Sequence, residues 1–150
     1  MSYFASDTII TFNYPPASVT RANGGFTSRD KALTGRWVSL EADGTLRLVD
    51  ENSRPIGVIT TLSPGKVGIT LGPICTGKQA GTTAIPLGSP ITGARKIVSV
   101  GGTAERGFVK PEPAKLPLAN VERRKGIVID SADTEANTEG VSSTGVLMWY

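Results

Sequence analysis

A chain of 150 residues is long enough to bury one core without metal or disulfide staples. It contains no histidine and a single cysteine, Cys75, which removes Ser-His-Asp, Cys-His and most zinc mechanisms together and leaves no internal disulfide. The net charge of +3 is mild but polarised: Arg95, Lys96, Arg106, Lys110, Lys115, Arg123, Arg124 and Lys125 outnumber Glu105, Glu112 and Glu122, and only acids follow.

Several further classes are excluded on the same grounds. No apolar run approaches the roughly 20 residues that span a bilayer, and MSYFASDT lacks the basic region and apolar core of a signal peptide. The expectation is a soluble protein made without Sec export, in a compartment that keeps Cys75 reduced. The charge polarity suits either nucleic acid or docking through complementary patches. Docking is favoured, because Phe108 is the one aromatic interleaved with the basic stretch to stack a base.

Residues 1–31 read as an extended arm. A short apolar strand, Thr8 to Phe12, is followed by Tyr14-Pro15-Pro16, which forbids helix, and by a hinge at Gly24-Gly25. Such a segment is either a first edge strand with a long loop or an arm that reaches a neighbour. From Arg36 the pattern is strongly β. Trp37 to Leu40 and Leu46 to Val49 flank Asp43-Gly44, the strongest short hairpin signal in the chain. A second hairpin joins Pro55 to Leu62 with Val67 to Leu71 through Ser63-Pro64-Gly65. Short strands follow at Thr83 to Leu87, Ile91 to Thr92, Lys96 to Val100, Gly107 to Val109, Gly126 to Ile129 and Gly145 to Trp149. This spacing predicts a mainly β protein, a small barrel or sandwich over residues 32–150. At most one short helix is expected, at Leu118 to Arg124 after Pro117. Glycine recurs just before large apolar residues, as in Gly57-Val58, Gly68-Ile69, Gly107-Phe108, Gly126-Ile127 and Gly145-Val146. Glycine there suits a bulge, a barrel corner or a close approach of backbones.

Two features imitate chemistry. Gly72 to Lys78 fits G-x-x-x-x-G-K, but Gln79 replaces the hydroxyl that holds magnesium, and Ala80 to Pro86 is a poor helix start. A β turn with a solvated lysine is the expectation. The acids Asp50-Glu51 and Asp130, Asp133, Glu135 and Glu139 are candidates for a carboxylate pair, yet the last four lie around a polar stretch where acids stay solvated, and their spacing misses the EF-hand pattern. Arg123-Arg124-Lys125 is shorter than convincing nucleic-acid patches. Trp149-Tyr150 either completes a core strand or lies in an interface, and Trp37 and Trp149 are the expected large anchors.

The layout from Lys31 to Tyr150 resembles the small capsid decoration, or cement, proteins of tailed bacteriophages. The residues that carry the resemblance are Ala32 to Val38, the Asp43-Gly44 turn, Ile56 to Ile59 after a polar loop, Gly88 to Thr92, Lys125 to Val128, the acidic loop Asp130 to Glu139, and Gly145 to Leu147. It implies a β module that binds the outer face of a capsid and stabilises it, with the major capsid protein and further copies of itself, as a homotrimer or homodimer, for partners. It implies no catalysis, cofactor, metal, nucleic acid, membrane or small-molecule substrate, and a virion location after synthesis in the host cytoplasm. The gripping parts expected on this reading are Phe4, Ile10, Phe12, Tyr14, Pro15, Pro16 and Arg21 of the arm, with Trp149 and Tyr150. Deleting residues 1–24 is expected to leave a folded barrel that attaches weakly. The alternative is an OB-like barrel for single-stranded nucleic acid, motivated by a pI near 9.2.

Overall fold

The computed structural model describes residues 8–50, 53–71, 74–79, 87–88, 90–93, 97–98, 104–111, 126–130 and 142–148. Among these there is no α-helix, only 3-10 turns at Arg21–Asn23 and Lys31–Leu33. The expected helix at Leu118 to Arg124 lies outside the described residues, as do Thr83 to Pro86, and Leu87 falls in a turn. The protein is mainly β, as the alternating runs require.

Twelve strands are described, five of them in an open antiparallel sheet of order β1-β5-β4-β2-β3. These are β1 (Thr8–Phe12), β2 (Trp37–Leu40), β3 (Leu46–Leu48), β4 (Gly57–Ser63) and β5 (Lys66–Leu71). Both expected hairpins form: β2 pairs β3 across the Asp43-Gly44 turn, and β4 pairs β5 across Pro64-Gly65. Gly65 adopts φ +85°, which suits the second central position of a tight turn after proline. The β4–β5 register slips between Ile59 and Thr61, a bulge that lets both Ile59 and Leu62 face the same core.

The remaining strands are β6 (Ile74–Gln79), β7 (Pro90–Gly93), β8 (Ile97–Val98), β9 (Ala104–Glu105), β10 (Val109–Pro111), β11 (Gly126–Asp130) and β12 (Ser142–Met148). Pairing links β10-β6-β12-β11-β7 into a ring, joined between β10 and β6 by the single parallel pair Val109↔Gln79. Strands β8 and β9 form a separate two-stranded ribbon.

The first sheet buries both faces, which is why Trp37 and Val38, adjacent in β2, are each 0% exposed. On one face Val38, Leu46, Leu48, Ile59, Leu62, Val67 and Ile69 pack with Phe26 and Leu33. On the other, Trp37 and Val58 meet Cys75 of β6 and Val109 of β10, with Val49. The second contact is close because Gly77 has no side chain: a Cβ there would lie 2.5 Å from the indole Nε1 of Trp37. Backbone bonds stitch the halves, Lys78 N–H donating to the Gly35 carbonyl at 2.9 Å and Trp37 N–H to that of Gly107 at 2.8 Å. Full burial of each aliphatic side chain in these clusters contributes about 1.5–3 kcal/mol.

Residues 8–30, read from the sequence as an arm, run along this sheet. β1 is its edge strand, paired with β5 from Thr8↔Leu71 to Phe12↔Val67. Phe26 supplies core, with Phe12 and Tyr14 packed against it. An apolar side chain on this stretch gains more from the open face of the sheet than from water, and Gly24 and Gly25 let the backbone lie close to Leu48 and Val19.

Candidate interaction surface

Of the four exposed large apolar side chains among the described residues, Ile9, Ile10 and Leu40 lie on the first sheet and Leu87 lies in a turn outside it. The β-branched run Thr8 to Thr11 favours a strand, and Pro15-Pro16 stops it. Its register with β5 pairs Ile10 with Ile69 and Phe12 with Val67, so both point to the face that holds the larger core. Ile9 takes the opposite face, beside Gly68. Ile9 is 55% exposed, Ile10 40% and Leu40, at the end of β2, 48%. Phe12, Leu40, Ile56 and Leu71 line a hollow of about 380 Å³. It adjoins a smaller polar hollow of about 270 Å³ that shares Leu40 and Ile56 and adds Ser39, Glu41, Ser53 and Arg54. The surface is thus apolar toward β1 and charged beyond β2, a form that suits an extended segment or a flat partner better than an enclosed substrate.

Of the residues expected to grip a partner, the structure brings some together and buries others. Ile10 is exposed and Phe12 lines the hollow. Tyr14 is held on the core: its hydroxyl donates to the Ser63 carbonyl at 3.0 Å, and its ring meets Phe26 edge-on at 5.6 Å. Burial, partly offset by that bond, raises the Tyr14 pKa. Pro15 is buried and Pro16 exposed. Arg21 forms an ion pair with Asp30 at 3.2 Å, which in turn accepts the Thr27 N–H, so it braces its own loop. Phe4, Trp149 and Tyr150 lie outside the described residues. Leu40, Ile56 and Leu71 also build the hollow, although the alternation alone gave no reason to separate them from core residues.

The segments that imitated chemistry take other roles. Gly72 and Pro73 are outside the described residues, and Ile74–Gln79 is strand β6, paired with β12 through six residues. This corrects the expected β turn: Lys78 is half-buried in a strand whose Thr76 and Gly77 pair with Gly145 and Thr144. A phosphate loop needs curled backbone leading into a helix, and an extended strand cannot present its N–H groups that way. Asp50 accepts from Ser53 at 2.9 Å and lies 3.4 Å from the Arg106 guanidinium. Asp130 ends β11, while Glu51, Asp133, Glu135 and Glu139 lie outside the described residues. Among the described residues no group of three metal-binding side chains converges.

Two arginines are buried between the sheets. Arg36 Nη1 donates to the Arg106 carbonyl at 2.8 Å, and its guanidinium sits 4.3 Å above the Phe108 ring. Gly107, between the bonded partner and the ring, has φ +98° and lies where a Cβ would press on Arg36, 2.9 Å from its Cβ. Glycine is required there on both counts. Arg106 is only 8% exposed, and that desolvation lowers its pKa, against the favourable charge of Asp50. Its Nε finds no acceptor among the described residues. These groups are framework, packed and partnered inward. Compared with known proteins, the chain matches no family model, no curated protein and no solved structure.

Proposed function

We propose that this chain is a structural module of a phage particle, one that binds the outer face of the capsid shell and stabilises it. The observation that carries the reading is the exposed apolar face of the antiparallel sheet on its β1 side, Ile10 and Leu40 with the hollow lined by Phe12, Leu40, Ile56 and Leu71. A module that adds to a symmetric lattice meets many copies of one weak contact at high effective concentration, so a small apolar patch on a stiff support is sufficient. The resemblance of the sequence layout to capsid decoration proteins motivates the same reading. Co-sedimentation with assembled shells tests it: the expected result is retention with raised resistance of the shell to heat. Absence from the pellet together with unchanged shell melting defeats it.

A second reading, an OB-like barrel for single-stranded nucleic acid, rests on the pI of 9.2. Phe108, the aromatic of the basic stretch, is 1% exposed beneath Arg36, which leaves it no face for a base. A gel shift that weakens steeply with salt would favour this reading over the first.

A further inference from the structure

We infer that Asn23-Gly24 is a deamidation site that the fold holds shut, and that its isoaspartyl product strips β3 of the cover Gly24 provides. Of the five asparagines in the chain, only Asn23 precedes glycine; Tyr14, Ser53, Val121 and Thr138 follow Asn13, Asn52, Asn120 and Asn137. The reaction begins when the backbone nitrogen of the next residue, having lost its proton to a base in solvent, attacks the asparagine Cγ. The new N–Cγ bond closes a cyclic imide as the bond from Cγ to the side-chain nitrogen breaks and ammonia leaves. Water then opens the imide at either carbonyl, giving aspartate or isoaspartate. A Cβ on the attacking residue crowds that approach, and glycine has none. Asn23 is exposed, so base and water reach it.

The fold opposes the first step. Arg21–Asn23 forms a 3-10 turn that Gly24 closes at φ +93°, its N–H donating to the Arg21 carbonyl at 3.1 Å. The attacking nitrogen is thus engaged, and turning it toward Asn23 Cγ breaks that bond. It cannot turn alone: Gly24 is buried, its carbonyl accepts Leu48 N–H at 3.0 Å, and Gly25 N–H donates to the Thr20 carbonyl at 2.8 Å. The ion pair of Arg21 with Asp30, at 3.2 Å, braces the turn from outside. Deamidation therefore requires the turn to open locally. Its two products then differ in what they do to the fold. Aspartate at residue 23 changes an exposed side chain, whereas isoaspartate adds a backbone carbon between residues 23 and 24. There is no room for it, since even a Cβ on Gly24 would lie 2.9 Å from the Leu48 carbonyl oxygen and 3.1 Å from Arg106 Cζ. The lengthened backbone displaces Gly24 and leaves Leu48 N–H on the edge of β3 without its acceptor.

None of this depends on the capsid reading. The free full-length chain is incubated at mildly alkaline pH and followed by peptide mapping that separates aspartate from isoaspartate at residue 23. Deamidation of Asn23 is expected to run about tenfold or more slower in native buffer than in urea that unfolds the chain, since a tenfold change is about the net worth of one turn hydrogen bond. Asp30→Ala, which removes the brace without touching the reacting atoms, should raise the native rate several-fold and leave the rate in urea unchanged. The isoaspartyl fraction of aged protein should melt below the parent chain, while Asn23→Asp melts close to it. Equal rates in native buffer and urea, no deamidation in either, a native rate indifferent to Asp30→Ala, or an isoaspartyl fraction that melts with the parent chain would each overturn the inference.

Discussion

Gly77 illustrates how much one absent side chain does in this molecule. A Cβ at that position would lie 2.5 Å from Trp37 Nε1, 2.8 Å from Cε2 and 2.9 Å from Val58 Cγ2, all in the cluster that joins the two halves. The indole has no room to move aside, because Trp37 is fully buried and its backbone N–H is bonded across to the Gly107 carbonyl. Gly77→Ala is therefore expected to destabilise by about 1–3 kcal/mol, read as a lower urea midpoint at unchanged slope. From sequence, Gly77 stood inside a phosphate-loop look-alike. Its spacing was visible there, but its role depends on which residue sits across from it, and no local pattern records that. Gly57 and Gly68, by contrast, belong to the glycine–apolar recurrence that suggested close approach, and both have neighbours where a Cβ would go.

At the scale of elements, the hairpins were the most legible part of the chain, because their turns are specified by a few consecutive residues. Asp43 shows how. Its Oδ1 accepts the Thr45 hydroxyl at 2.6 Å and the Thr45 N–H at 3.0 Å, fixing the turn between β2 and β3. Those bonds, first the hydroxyl and then the amide, hold the Asp43 carboxyl below its ordinary pKa. A depressed folded pKa means that the turn's support is complete above the unfolded value and fades as pH falls through the folded one. Asp43 should thus titrate at lower pH than an unstructured aspartate in a carbon-detected NMR series, and Asp43→Ala should erase that part of the acid dependence of hairpin exchange. The edge strand β1 was legible as a strand too. Whether it would pair with the sheet or extend from it was not, since both fates use the same β-branched, uncharged residues.

For the molecule as a whole, the packing of residues 8–30 on the first sheet changes the expected result of truncation. Deleting residues 1–24 removes β1, Phe12 and Tyr14 from the larger core and takes away the Gly24 carbonyl that accepts Leu48 N–H. An uncovered core face and an orphaned strand donor predict a loss of several kcal/mol, at about 1–3 for each large contact, so the shortened chain should melt far below the full one by circular dichroism. A melting temperature close to that of the full chain would mean that this stretch adds nothing to the fold. What the amino-acid order determined unaided is what neighbours along the chain decide: strand periodicity, turn chemistry, the want of histidine chemistry and the β class. What only the tertiary structure decided is which apolar side chains are hidden. Val38 and Leu40 share a strand and a face, yet one is fully buried and the other 48% exposed. The difference lies in what crosses above them from distant segments, and burial is a property of that meeting, so the exposed apolar face at Ile10 and Leu40 appears only once the chain is folded.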